Sequence, residues 1–220
     1  MCGGRLVGGD APVAGVCTDT RRIGSGELFV ALRGERFDGH ELAAHAAHLA
    51  AGAMVERELA LELPQVVVDD TQAALGRLAA AWRARLDCAV IALTGSNGKT
   101  SVKEMLAAIL ARQGPTLATQ GNLNNQIGVP LTLLALEPEH RYAVVEMGAN
   151  RCGEIAYLTG LARPDVALVT NAGPAHLEGF GDLDGVARGK GEIFEGLGPR
   201  GTAVINADDA YADYWRSLNR

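Results

Sequence analysis

The chain has 220 residues, 48% of them hydrophobic and 5% aromatic, with a formal net charge of −6. That length suits one large domain or two small ones, and few aromatics beside 28 glycines imply a core of small side chains and close backbone approaches. The acidic balance argues against a nucleic-acid binder, which would carry a basic surface, and every apolar run is too short to span a bilayer.

Cys2, Cys17, Cys88 and Cys152 are scattered without a close pair, which fits neither a disulfide framework nor a zinc site. Reduced, mostly packed thiols are expected. Residues 1–5 lead into mixed sequence with no secretory apolar region, so the expected compartment is the cytoplasm.

In chain order, residues 28–32 read as a short buried strand, and the Ala-rich stretch 41–51 as a helix stopped by Gly52. Residues 53–55 and 66–68 are two more short strands, the second preceded by Pro64. The cleanest helix follows, with Thr71 as N-cap and Leu75, Leu78, Trp82 and Leu86 forming one apolar stripe. This helix is expected to link a small first domain, residues 1–86, to a second, residues 87–220.

The second part opens on the continuous apolar run 89–94, suited to a central parallel strand. A helix over 99–112, a strand near Thr116, a helix over 130–136, strands at 142–146 and 166–170, a helix over 183–197 and a strand at 203–206 follow. Alternating strands and helices predict an α/β fold: a small α/β domain, then a doubly wound parallel sheet.

Between strand 89–94 and its helix lies Thr94-Gly95-Ser96-Asn97-Gly98-Lys99-Thr100. A strand, a Gly-rich turn and a helix are the setting of a phosphate loop. Gly95 and Gly98 let successive N–H groups face inward as an anion nest. The helix start adds its positive dipole end. Lys99 can reach the β- and γ-phosphates, and the Thr100 hydroxyl is placed for Mg²⁺. Leu93 stands five residues before Gly98, where the general pattern has glycine, so this is a shorter form of the loop.

With that loop, the chain resembles the Mur ligase family. Thr18-Asp19-Thr20-Arg21 and Phe37-Asp38-Gly39-His40 carry the likeness in the first domain. In the second it rests on Gly121-Asn122-Leu123-Asn124-Asn125, Glu146-Met147-Gly148-Ala149-Asn150, and the segments that end on Glu178-Gly179-Phe180-Gly181 and on Asn206-Ala207-Asp208-Asp209. The asparagine-rich segment and the one ending on Gly181 point, within the family, to the members that join D-alanyl-D-alanine to UDP-N-acetylmuramoyl-tripeptide. The resemblance implies an N-terminal domain for the UDP moiety and a P-loop ATPase domain using ATP and Mg²⁺. It implies a monomer and a reaction in which ATP phosphorylates a carboxylate and an amine displaces phosphate.

The resemblance also implies site residues. Glu146 would share a Mg²⁺ with Thr100, and His176 would help bind a second. Lys190 reads from composition as a solvated lysine, but relatives carry a carbamylated lysine one helix beyond the histidine, and carbamylation makes an oxygen ligand that Mg²⁺ prefers. Lys99, His176 and Lys190 are thus the catalytic candidates. For substrate, Thr20 and Arg21 are implicated, Arg21 either meeting a phosphate or lying on the surface beside Arg22. Asn124 and Asn125 either contact sugar or phosphate or form an ordinary turn pair. His45 and His48, three apart on one helix, read as structural.

Relatives continue beyond Arg220 through the rest of the sheet and a third domain, so these 220 residues alone are expected to bind substrate weakly and not to ligate. Two other readings stand beside the first: a sibling ligase with another amino-acid acceptor, and a nucleotide-binding module without catalysis.

Overall fold

The computed structural model describes residues 2–34 and 37–219, which form two compact units, Met1–Ala81 and Trp82–Arg220. In chain order the first holds β1 (Arg5–Val7), β2 (Gly15–Cys17), β3 (Glu27–Val30), the two-residue strands β4 (Arg33–Gly34) and β5 (Phe37–Asp38), α1 (Gly39–Ala46), β6 (Gly52–Val55), β7 (Gln65–Val67) and most of α2 (Thr71–Arg83). Its main sheet runs β1-β7-β6-β3-β2. β1 is antiparallel to β7 and the other pairs are parallel. Phe29, Ala31, Ala43, Ala46, Ala53, Val55 and Ile23 make the core of this unit, mostly small side chains as composition implied.

Both helices here differ from expectation at their boundaries. α1 starts at Gly39, because extended Asp38 accepts the His40 N–H at 2.9 Å. It ends at Ala46, where the Ala46 carbonyl takes the N–H groups of both Leu49 and Ala50, and Ala51 N–H then turns to the Glu27 carbonyl. In α2 the N-cap is Asp70 rather than Thr71: its carboxylate accepts the Ala73 N–H at 2.8 Å. The Thr71 hydroxyl is buried and engages the Ala31 carbonyl (3.0 Å) and Glu56 (3.1 Å). Leu86 lies beyond the end of this helix.

The second unit contains β8 (Ala89–Thr94), α3 (Lys99–Leu110), β9 (Thr116–Ala118), α4 (Gly128–Leu134), β10 (Tyr142–Glu146), α5 (Glu154–Ala162), β11 (Val166–Val169), α6 (Leu177–Phe180), α7 (Leu183–Gly191), β12 (Thr202–Ile205) and α8 (Ala212–Ser217). Its sheet is parallel throughout, in the order β12-β11-β8-β10-β9. β8 and β10 match the expected strands residue for residue, and both are largely buried. α5 and α8 were not anticipated. The helix expected over 183–197 is broken: α7 stops at Gly191 and a 3₁₀ turn covers Glu192–Gly196, in which the Ile193 carbonyl accepts the Thr159 hydroxyl at 2.9 Å.

Because the strands are parallel, β8, β10 and β11 end on one edge of the sheet, where open α/β sheets bind ligands. β8 runs into the phosphate loop, β10 ends on Glu146, and β11 leads to the loop carrying His176.

Candidate functional site

Gly95 and Gly98 have φ of 148° and 78°, conformations that side chains resist, and a Cβ on Gly95 would collide with the Thr170 hydroxyl. The loop between them is fastened from the far side of β8 by the segment after β11. The Asn171 carboxamide grips Asn97 at both backbone groups, accepting its N–H at 3.0 Å and donating to its carbonyl at 3.1 Å. The Thr170 hydroxyl donates to the same carbonyl at 2.8 Å. The Ser96 hydroxyl exchanges hydrogen bonds with both backbone groups of Gly173 (3.0 and 2.9 Å). Behind this segment, Asn206 donates to the Thr170 carbonyl and Asp209 accepts the Ala172 N–H.

Lys99 opens α3 and curls back, its Nζ donating to the Gly95 carbonyl at 2.7 Å. Burial lowers its pKa, and the charge of Glu146 opposes that shift. Thr100, beside it, donates its hydroxyl to Glu146 Oε2 at 3.0 Å. The other carboxylate oxygen of Glu146 accepts from the Asn124 carboxamide at 2.8 Å. Glu146 itself is 2% exposed. The sequence-predicted pair Thr100 and Glu146 is therefore brought together at the mouth of the loop, with Asn124 as a third member. Asn125 faces elsewhere: its side-chain oxygen accepts the N–H groups of Ile127 and Gly128 at the start of α4.

His176 is exposed and sits in the left-handed region (φ 56°) at the head of α6. It lines a cavity of about 510 Å³ with Asn150, Pro174 and Glu178. Lys190, on α7, is 2% exposed, which overturns the solvated reading that composition alone suggested. Its Nζ lies 3.5 Å from the Ala149 carbonyl and 5.2 Å from the centre of the Phe180 ring. Among the described residues no three His, Cys, Asp or Glu side chains converge on a cation position. The sets expected here, built on a hydroxyl and a lysine, are of another kind.

In the first unit, Thr18, Asp19, Thr20 and Arg21 line a cleft of about 530 Å³ with Phe29, Phe37 and Leu42. Arg21 is exposed and held in a two-point pair with Asp19 (2.9 and 2.7 Å), whose carboxyl it lowers to about 2.

The paired letters and geometry match known proteins. The model of the Mur ligase middle domain fits residues 93–220, and that of the Mur ligase family catalytic domain fits residues 12–83. The chain belongs to the Mur ligase family. Among curated relatives of this Mur ligase chain, the UDP-N-acetylmuramoyl-tripeptide–D-alanyl-D-alanine ligase of Escherichia coli K12 is 56% identical over 216 residues, 98% of this chain and 48% of the relative. A MurF crystal structure from Acinetobacter baumannii superposes with a TM-score of 0.87 at 48% identity, covering 92% of this chain and 45% of that one. The MurF ligase of Thermotoga maritima in complex with ADP gives 0.84 at 33% identity, covering 93% and 48%. The Mur ligase chain thus spans about half the length of the relatives it matches.

Sequence reasoning assigned no role to Thr170, Asn171, Asn206 or Asp209, though they shape the loop. Their available signal was positional, polar residues in the loops that follow β11 and β12 on the ligand-binding edge, and Asn206 and Asp209 also lie in a segment that carries the family resemblance.

Proposed function

We propose that this chain supplies the nucleotide- and UDP-substrate-binding parts of an ATP-dependent ligase that joins D-alanyl-D-alanine to UDP-N-acetylmuramoyl-tripeptide. The carrying observation is the pair of Thr100, at the head of α3, with Glu146, at the end of β10, at the mouth of a short phosphate loop that the segment after β11 fastens. The names of the most similar relatives support the choice of substrates.

In this reading the loop N–H groups and Lys99 cradle the β- and γ-phosphates of ATP, as the helix start favours anions. The γ-phosphoryl group passes to the terminal carboxylate of the tripeptide, giving an acyl phosphate and ADP. The amine of D-alanyl-D-alanine then attacks the acyl carbon and phosphate leaves with its electron pair. A hydroxyl and a carboxylate 3.0 Å apart are the hard oxygen donors Mg²⁺ takes, so Thr100 and Glu146 would hold one ion. His176 and a carbamylated Lys190 would hold a second. Bound Mg²⁺ supplies positive charge to the transferring phosphoryl oxygens. Thr20 and Arg21 would meet the UDP moiety and Asn124 the edge of the substrate, whereas Asn125 is the turn residue that starts α4. No helix among the described residues is long and apolar enough to cross a membrane, and we place the protein in the cytoplasm.

Phosphate release by the full-length protein tests this. Release from ATP should require UDP-linked tripeptide and D-alanyl-D-alanine together. Release with glutamate or a diamino acid in place of the dipeptide would reassign the chain to a sibling ligase. No release with any acceptor would leave a binding module.

A further inference from the structure

One buried charge of the second unit has no part in the mechanism above. Lys103 lies one turn beyond Thr100 on α3, and its side chain is 3% exposed. Its ammonium pairs with Glu104 at 2.7 Å, but the Glu104 side chain is 67% exposed, so that pair could form equally at the surface. Burying an ammonium is costly, and a lysine on a helix ordinarily extends its head to water. What Lys103 reaches only by staying inside is the Thr119 carbonyl, to which it donates at 2.8 Å.

Thr119 follows β9 and is 1% exposed. Its N–H donates to the Val144 carbonyl at 3.0 Å, and its hydroxyl oxygen accepts the backbone N–H of Glu146 at 2.9 Å. The segment that starts there, residues 120–125, carries Asn124, which donates to the Glu146 carboxylate. Thr100 and Lys103, one turn apart on α3, thus hold Glu146 from two sides. Thr100 takes the carboxylate directly, and Lys103 takes the backbone through Thr119.

We propose that Lys103 is a positioning residue: by holding the Thr119 carbonyl it fixes Glu146 against Thr100, and so sets how tightly the loop takes a nucleotide-bound divalent cation. This rests on the reading of Glu146 as a cation ligand. Groups one step behind a metal ligand commonly change metal affinity by about 10–100-fold.

The test measures ADP binding to the chain by calorimetry, with Mg²⁺ and with EDTA, alongside amide exchange of Glu146 by NMR. Lys103→Met should cut the Mg²⁺-dependent gain in ADP affinity by about tenfold and leave metal-free binding unchanged. It should also speed exchange at the Glu146 amide and not at Val90 or Leu93 in β8. Thr119→Val should do the same, while Thr119→Ser and Glu104→Gln behave as wild type. If Lys103→Met does not fold, the two Thr119 variants decide alone. A wild-type value in either readout, or faster exchange throughout β8 and β10, overturns the inference. Glu146→Gln separates the two readings: if it abolishes the Mg²⁺ gain while Lys103→Met keeps it, only Lys103 is misassigned. If Glu146→Gln keeps the gain, the cation role of Glu146 falls, and this inference with it.

Discussion

Lys190 places an amine where its charged form is disfavoured. Burial is the main cause, the nearby charge of Lys99 adds to it, and Glu154 and Glu192 offset part, leaving a pKa of about 8. The unfolded chain would hold that proton up to its ordinary value of 10.5. Between those values the unfolded state binds more protons, so this group's penalty is complete below about 8 and relieved as pH rises toward 10.5. The same shift makes a neutral, nucleophilic amine available near neutrality, the form that adds to CO₂. With ¹³C-labelled CO₂ held at fixed dissolved concentration, a carbamate resonance should grow as pH is raised through about 8. It should be absent from Lys190→Ala, and a signal that persists in that variant would assign the carbamate elsewhere.

At the scale of elements, α2 separates two neighbouring polar residues by job. Asp70 caps the helix at its exposed start, whereas Thr71 is buried and ties the helix to Ala31 and Glu56. Asp70→Ala should lower unfolding free energy by about 1 kcal/mol, read from the denaturant midpoint with an unchanged slope. That distinction was invisible in the letters, since Asp and Thr both cap helices and stand side by side. β8 and β10 were legible to the residue because strands buried on both faces are continuous apolar runs. β1 and β2 were not: each has three residues and neither is buried, so no periodicity accumulates. α5 was hidden by Gly160 inside it and by a left-handed terminus at Arg163, where a glycine would have marked the end. In the site, the phosphate loop and the strand-end Glu146 were readable from local context. The grip of Asn171 on Asn97 and the burial of Lys103 were not, since each depends on residues brought together from distant parts of the chain.

For the whole molecule, each five-stranded sheet has central strands bonded on both sides and marginal strands bonded on one. Among the described residues, β8 has a hydrogen-bonded neighbour on both sides, as do β10 and β11, whereas β9 and β12 are margins with one. Native-state amide exchange should therefore be slowest in β8 and β10 and measurably faster in β9 and β12. Equal protection across all five strands would contradict this sheet order. The same arrangement bears on the phosphate loop. Its curvature is imposed by Thr170, Asn171 and Gly173 from the adjoining strand, and those are steadied by Asn206 and Asp209 from the strand beyond. A graft of residues 94–100 into a foreign sheet would carry the letters and lose the shape, so the heritable unit here is three neighbouring strand ends rather than one short motif.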